Sequence, residues 1–559
     1  MDTISLDADR RIAGPYTFAA GLLGHLVPRA LERRSEELVA AHDIEIRAAA
    51  PRLRGCVPER RSSLADTLPR GQRILVPGAR RSLRIANGLA EFVRDHLRGA
   101  GPLALTVTNL GEADHTDAEL VAVLRRRLDP GLLRIDEGPS APSAGPLRAD
   151  FDRYRDEGFH HAMAESGLAV LRGMAYEDDP EGWQHLLQRV AGALEAVERE
   201  DEARELYDRA RRVSTDPKHR ATIAYATAMI LVRHHDPARR DPEQALAWIN
   251  EAITITSLLP DRRERAFHLG FDLNGKALVE VRRGRYESAT ELVRQAIDLA
   301  ETDLAGEHPI HRLVLHANRA QLLAMAGRTE EALAGYTRAV EADPGYPDYY
   351  LERGNLLHRL GRSDEALADY EAVMRLSPPF PEAYYNRAEV RFAAGDLEGA
   401  RADLDHTLEL DPEFAPAYVN RSGIDVAMGD YARAREDVLR GLGLTPRDPH
   451  LMCVLGQVEL AEGRHPEART AFDGALEAAP ELVAAWAGRA ELAFERGEHD
   501  AALADLTHAL KLEETAELLF NRSVVYRAAG LADKARDDLL RAAELAPGDE
   551  EVGRALAEL

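Results

Sequence analysis

The side chains able to do chemistry are present in this chain but poorly arranged for it. Gly270-x4-Gly275-Lys276-Ala277 nearly spells a loop that cradles phosphates on backbone N–H groups. However, Ala277 stands where a hydroxyl would meet Mg²⁺, and no apolar strand leads into the segment. Histidines cluster at His160-His161, at His234-His235 and at His308, His311 and His316. None has a carboxylate or thiolate partner at ligand spacing, so no metal is expected. Nucleophile elbows, zinc-protease motifs and kinase signatures are missing. The expectation is a chain that is not an enzyme and carries no cofactor.

Other polar residues recur in strict order. Arginine stands at Arg319, Arg353, Arg387, Arg421, Arg489 and Arg522. Aspartate stands 16 residues after five of these, at Asp369, Asp403, Asp437, Asp505 and Asp538. Where the arginine column has Leu455 the aspartate column has Ala471, so the two charges vanish together; Arg319, facing Gly335, is the exception. Joint loss predicts that the columns meet as planar guanidinium–carboxylate pairs with a structural role. Just before the arginines stand Asn318, Asn386, Asn420 and Asn521, with Asn355 slightly offset. An amide offers both a donor and an acceptor, so a row of them could hold the main chain of an extended peptide. The alternative is that they bond only to neighbouring helices.

The spacing that orders these columns also defines the elements that carry them. Ala320, Gly354, Ala388, Ser422, Gly456 and Ala490 lie 34 residues apart, and Ser523 follows after 33. Seven residues after each comes a glycine, Gly327, Gly361, Gly395, Gly429, Gly463, Gly497 and Gly530. Twelve residues after each small residue comes an alanine, from Ala332 to Ala535, and Pro344, Pro378, Pro412, Pro446, Pro480 and Pro547 close the units. Small residues let two antiparallel helices approach, glycine makes the turn between them, and proline ends the second helix. A period of this length is the mark of stacked helix pairs.

This pattern resembles the tetratricopeptide repeat (TPR). The resemblance implies a mainly α fold, a right-handed TPR α-solenoid with a small N-terminal α/β domain. Weaker copies, such as Ala277-Gly284-Ala289-Ala296 and Ala191-Ala203-Tyr207-Ala210, carry the array back to about residue 182. The expected organisation is an α/β domain over 1–138, a linker over 139–149, irregular helical hairpins over 150–312 and seven regular repeats over 313–559. The resemblance also implies that the first helix of each pair lines a concave groove. The asparagine row is similar to that in the TPR superhelix of the O-GlcNAc transferase family, with four of seven rungs present. Tyr385 and Phe392, with Val419, Phe494 and Phe520, add apolar groove positions. The lysines of a carboxylate clamp are missing there, which argues against a partner held by its terminal carboxylate.

Residues 1–149 do not repeat. Leu103–Thr108 reads as a buried strand, Asp117–Leu128 as a helix and Leu132–Ile135 as the start of another strand, with a helix upstream over Ser82–Leu97. The segment resembles the Walker B region of the large ATP-binding regulators of actinobacteria, which implies a degenerate remnant. Thr108 and Asn109 replace the two acids that would order Mg²⁺, and no glycine loop ending in Lys-Ser/Thr precedes them.

Charge and composition complete the reading. The net charge of −25 opposes nucleic-acid binding. It is uneven, because residues 1–149 are net +3 and nine arginines lie between Arg52 and Arg84. That stretch reads either as a solvated loop or as a docking strip for an acidic surface. Only four lysines accompany the arginines, a bias that points to a GC-rich bacterial genome. Two cysteines suit a reducing cytoplasm, and no apolar run is long enough for a membrane span. Ile12–Val27 is apolar, but an acidic start and the lack of a cleavage site argue against a leader. Function is expected to be that of a protein-interaction scaffold whose groove binds a protein or peptide partner, not nucleic acid or membrane. The alternative is a regulator whose N-terminal remnant docks on a signalling protein or ATPase. Because repeats pack only on their neighbours, the solenoid is expected to fold without residues 1–149.

Overall fold

The computed structural model describes residues 2–68, 78–141, 143, 145, 150–304 and 306–558. Parts of the arginine-rich stretch (69–77) and of the expected linker therefore lie outside the described residues. The chain divides into two compact units, Met1–Ala383 and Tyr384–Leu559.

The first unit opens on a parallel sheet of three strands in the order β1 (Asp2–Asp7), β2 (Leu103–Thr108) and β3 (Leu133–Glu137). Registers run from Asp2 opposite Leu103 and from Leu103 opposite Leu133. Both strands read from the sequence are present, and β1 is an addition. Leu105 and Val107 are fully buried in the central strand, whereas β1, an edge, buries only Ile4 and Leu6 on alternate positions. The helix His115–Arg127 makes the crossover from β2 to β3, as parallel strands require. Asp114 caps it by accepting from the Thr116 and Asp117 N–H groups. Asp117 in turn accepts from the N–H groups of Phe18 (2.8 Å) and Ala19 (2.9 Å), satisfying the first turn of the helix Thr17–Glu32. That helix takes up most of the apolar run weighed as a leader and buries Phe18, Leu22, Leu23, Leu26 and Val27.

Asn109, where the resemblance to ATP-binding regulators would place an acid, adopts a left-handed backbone (φ 55°) and donates its amide to both oxygens of Asp7 at 2.9 and 3.0 Å. The Thr108 hydroxyl donates to the Leu6 carbonyl at 3.3 Å. Both side chains tie β2 to β1. The core does not stop at the expected linker, because one apolar cluster runs from Ile4 through Phe159 and Trp183 to Ile230. The Tyr16 and Phe159 rings meet edge to face at 5.6 Å across it. The first helix pairs therefore share their core with the sheet, and independence of the solenoid from residues 1–149 does not follow from repeat packing alone.

Helix pairs fill the rest of this unit and most of the second, which closes on the single helix Glu550–Ala557. In Tyr384–Leu559 they include Ala415–Ala427 with Tyr431–Leu444, Pro449–Ala461 with His465–Ala478, and Val483–Glu495 with His499–Leu512. The turn glycines read from the sequence all sit at positive φ, from 70° at Gly361 to 79° at Gly395. Small residues in the first helices have a measurable cause. A Cβ added at Gly354 would come within 2.9 Å of the Tyr370 ring, and one at Gly456 within 2.6 Å of the Phe472 ring. The large side chain of each second helix fills the space that the small residue of the first leaves open. Among the described residues no helix is long and apolar enough to cross a membrane.

Candidate protein-binding face

Arginine and aspartate columns come from the two helices of one pair, which set them side by side. Arg353 donates through Nε and Nη2 to Asp369 at 2.8 and 2.7 Å, and Arg387 donates to Asp403 at 2.9 and 2.6 Å. Arg421 with Asp437, Arg489 with Asp505, and Arg522 with Asp538 repeat the same two-pronged geometry at 2.6–2.8 Å. Four of the carboxylates are buried, Asp403 to 3% exposure, and Asp505 is half-buried, so the buried four each need their guanidinium. Two arginines bridge further. Arg421 also reaches Asp405, and Arg489 reaches Asp473, both at 2.7 Å.

An aromatic column one turn before these arginines escaped the sequence reading. Tyr350, Tyr384, Tyr418 and Trp486 lie 4.6–6.0 Å from the guanidinium carbons of Arg353, Arg387, Arg421 and Arg489. Three of them also donate to the carbonyl of the closing proline six residues earlier, Tyr350 to Pro344, Tyr418 to Pro412 and Trp486 to Pro480. Their common 34-residue spacing was the available signal.

The asparagines occupy the first helices and are engaged with neighbours. Asn318 donates to Asn274 Oδ1 at 3.0 Å, Asn355 Oδ1 accepts from the Tyr370 hydroxyl at 2.8 Å, and Asn420 donates to the Tyr385 hydroxyl at 3.0 Å. Asn386 is also engaged within the chain, and Asn521 is half-buried. Such bonds belong to the second of the two alternatives, attachment to neighbouring helices. One bond does not exhaust a side-chain amide with two donor hydrogens and two acceptor lone pairs. Tyr385 is half-buried against Phe414, ring centres 5.3 Å apart, and burial pushes its hydroxyl up to about 12. Val419, Phe494 and Phe520 pack partly into neighbouring cores, while Phe392 is 52% exposed on the helix Pro381–Ala393.

The other candidates resolve on geometry. Gly270, Gly275 and Lys276 lie inside the helix Arg262–Arg282, whose backbone N–H groups point along the helix and cannot cradle a phosphate. The glycines instead admit side chains, since Cβ atoms there would come within 2.8 Å of His311 and of Tyr225 respectively. Spacing along the chain offers His234-His235 no carboxylate, and here the structure differs. Glu200, from the start of the helix Glu200–Val213, brings Oε2 to 2.9 Å from His235 Nδ1, and its ligand atoms lie within 4.8 Å of both rings. His234 Nδ1 accepts the Asp236 N–H at 3.1 Å, so in the neutral ring Nε2 carries the proton and offers no lone pair to a cation. The arrangement is a carboxylate–histidine contact between helix pairs.

Family comparison agrees with this architecture. Residues 321–361 match a TPR repeat family, and residues 351–413, 424–483 and 487–550 match the tetratricopeptide repeat family. The chain thus carries tetratricopeptide repeats, and its mostly helical fold is a TPR solenoid beginning with a small α/β sheet. No curated protein matches the sequence. Among solved structures the chain is similar to a tetratricopeptide repeat protein from Parabacteroides merdae (21% identity, 52% of this chain, 97% of that one, TM-score 0.32). It is also similar to the APC/C hetero-tetramer Cut9-Hcn1 (16% identity, 67% and 76%, TM-score 0.40). A third is YrrB, described as a TPR protein with an unusual peptide-binding site (24% identity, 32% and 91%, TM-score 0.25).

Proposed function

We propose that this protein is a non-catalytic scaffold that grips a partner polypeptide along the face built from the first helices of its repeats. One observation carries the reading. Phe392 leaves half of a large apolar side chain in water, two turns along the same helix from the half-buried Tyr385 and Asn386. Exposed aromatics beside polar anchors suit recognition of a polypeptide by apolar pockets and main-chain hydrogen bonds. Beneath that face the arginine–aspartate pairs fix the helices, so the face meets its partner preformed. An exposed Cys56 and a buried Cys453, both free thiols, suit a reducing compartment, and we place the protein in the cytoplasm.

The test is a titration of the copurifying partner against wild type and Phe392→Asp. Phe392 is half exposed, so the melting temperature should stay within about 2 °C of wild type while affinity falls by roughly tenfold or more. Unchanged affinity refutes the assignment of this face.

A further inference from the structure

Within the first unit, the helix Pro180–Ala196 packs between the helices His160–Gly173 and Glu200–Val213. The two flanking helices leave between them a cavity of about 470 Å³, lined by their own residues. That is the size of clefts that take a ligand or a few side chains of a partner. Leu168, Leu171 and Leu206 make its apolar floor, the last two buried in the core beneath and the first half-buried.

The charge around that floor is unbalanced. Arg172, Arg209 and Arg212 line the cavity, and among the described residues none of the three makes a hydrogen bond or an ion pair. Carboxylates are in excess in a chain of net charge −25, yet none reaches these guanidiniums. Three acids share the lining, and two of them are already matched. Glu202 is taken by the Arg199 fork at 2.6 and 2.8 Å, with Arg172 adding only a longer-range attraction. Asp208 pairs with Arg204 at 3.4 Å. Arg199 and Arg204 both stand outside the lining, which leaves Glu205 to offset three guanidiniums. Arg209 is also pre-set for a carboxylate. Its guanidinium lies 5.1 Å over the ring of the buried Trp183, which fixes the plane of the fork and leaves its N–H edge to bond.

The combination selects the occupant. A nucleic-acid backbone would answer the charge but not the leucines, and the acidic bulk of the chain would repel it. A purely apolar segment would cover the leucines but strip water from cations and give them no counter-charge. We propose that this groove docks an acidic, amphipathic segment of a partner polypeptide. Its apolar side chains rest on Leu168, Leu171 and Leu206, and its carboxylates enter the forks of Arg172, Arg209 and Arg212. The groove shares no residue with the face around Phe392, and neither assignment depends on the other.

The experiment selects binders for the full chain from a displayed library of random dodecapeptides. Selected peptides are then titrated by anisotropy against wild type, Arg172→Gln combined with Arg212→Gln, and Phe392→Asp. Peptides that mix Asp or Glu with Leu, Ile or Phe should be enriched, and their affinity should fall as salt rises. Loss of the two guanidiniums should weaken them by roughly tenfold or more, while Phe392→Asp should bind them as wild type does. Arg172 and Arg212 are exposed, so the double variant should keep the wild-type melting temperature. Should that temperature fall, hydrogen exchange of wild type decides instead. Bound peptide should slow exchange in His160–Gly173 and Glu200–Val213, and slowing confined to Pro381–Ala393 overturns the inference. Selection without acidic–apolar enrichment, or equal binding by a correctly folded double variant, also overturns it. So does a DNA duplex that displaces the peptides at lower concentration than unlabelled peptide does.

Discussion

Replacing Arg353 with Leu should destabilise the pair of helices Pro347–Arg359 and Ser363–Leu376 more than the same change at Arg387 destabilises its own pair. Asp369 is 5% exposed and receives both arms of the Arg353 fork at 2.7 and 2.8 Å. Removing the fork leaves a buried carboxylate, which costs about 3–5 kcal/mol for a fully buried pair. Arg353 keeps about a fifth of its side chain in water, so solvent screening lowers the working figure here to about 2–3 kcal/mol. Asp403 has a second cation, Arg391, whose Nη1 lies at 2.8 Å, so Arg387→Leu should cost only about 1–2 kcal/mol. The double change Arg353→Leu with Asp369→Ala copies the natural Leu455/Ala471 combination and should fall within about 1 kcal/mol of wild type. Repeat arrays open locally, so the free energies should be read by native-state hydrogen exchange of these two helices rather than from one melting temperature. Additive single changes, or a larger loss at Arg387 than at Arg353, would refute the reasoning.

Three other outcomes follow from the packing and titration. Phe472→Ala removes a ring with no exposure that lies against Gly456 and Gly488, and should cost about 3–5 kcal/mol in local exchange, with Gly456→Ala recovering part of it; a loss under about 1 kcal/mol would contradict the packing. Asp272 is buried, and burial pushes its carboxyl up to about 7, so its stabilising contribution is full below about pH 4 and is lost as pH rises towards 7. Asp272→Asn should therefore gain stability over wild type from pH 4.5 to pH 8 by up to roughly 3 kcal/mol, and a pH-independent difference would count against this assignment. Cutting the chain before residue 150 should expose Phe159 and its neighbours in the shared core, giving aggregation or dye binding, and a soluble, dye-silent 150–559 fragment would show that the core is not shared in effect.

The repeats were legible because a 34-residue period aligns the chain with itself, so each column shows its small, glycine or proline requirement several times over. The arginine–aspartate pairing was legible for the same reason, through the joint loss at Leu455 and Ala471. The neighbouring aromatics, Tyr350, Tyr384, Tyr418 and Trp486, carried an equal signal but demand no special backbone and so stand out less. Strand β1 escaped because an edge strand buries only alternate residues, here Ile4 and Leu6 among acids and hydroxyls. Contacts between distant segments left no trace. Glu200 finds His235 and Leu64 finds Asp343 only because the helix pairs curl the chain back on itself. Asparagine bonds to Asn274, Tyr370 and Tyr385 were illegible for a related reason, since they depend on which side chains stack between elements.

The central claim is that a polypeptide is held on the first-helix face around Phe392. A photo-crosslinking amino acid placed at Phe392, and as a control at Leu540, tests it directly. Leu540 is as exposed (51%) but lies on the second helix Ala532–Leu545. Irradiation should join the copurifying partner to position 392 and not to position 540, with the crosslink lost when unlabelled wild type competes. Equal crosslinking at both positions, or crosslinking at 540 alone, would contradict the account.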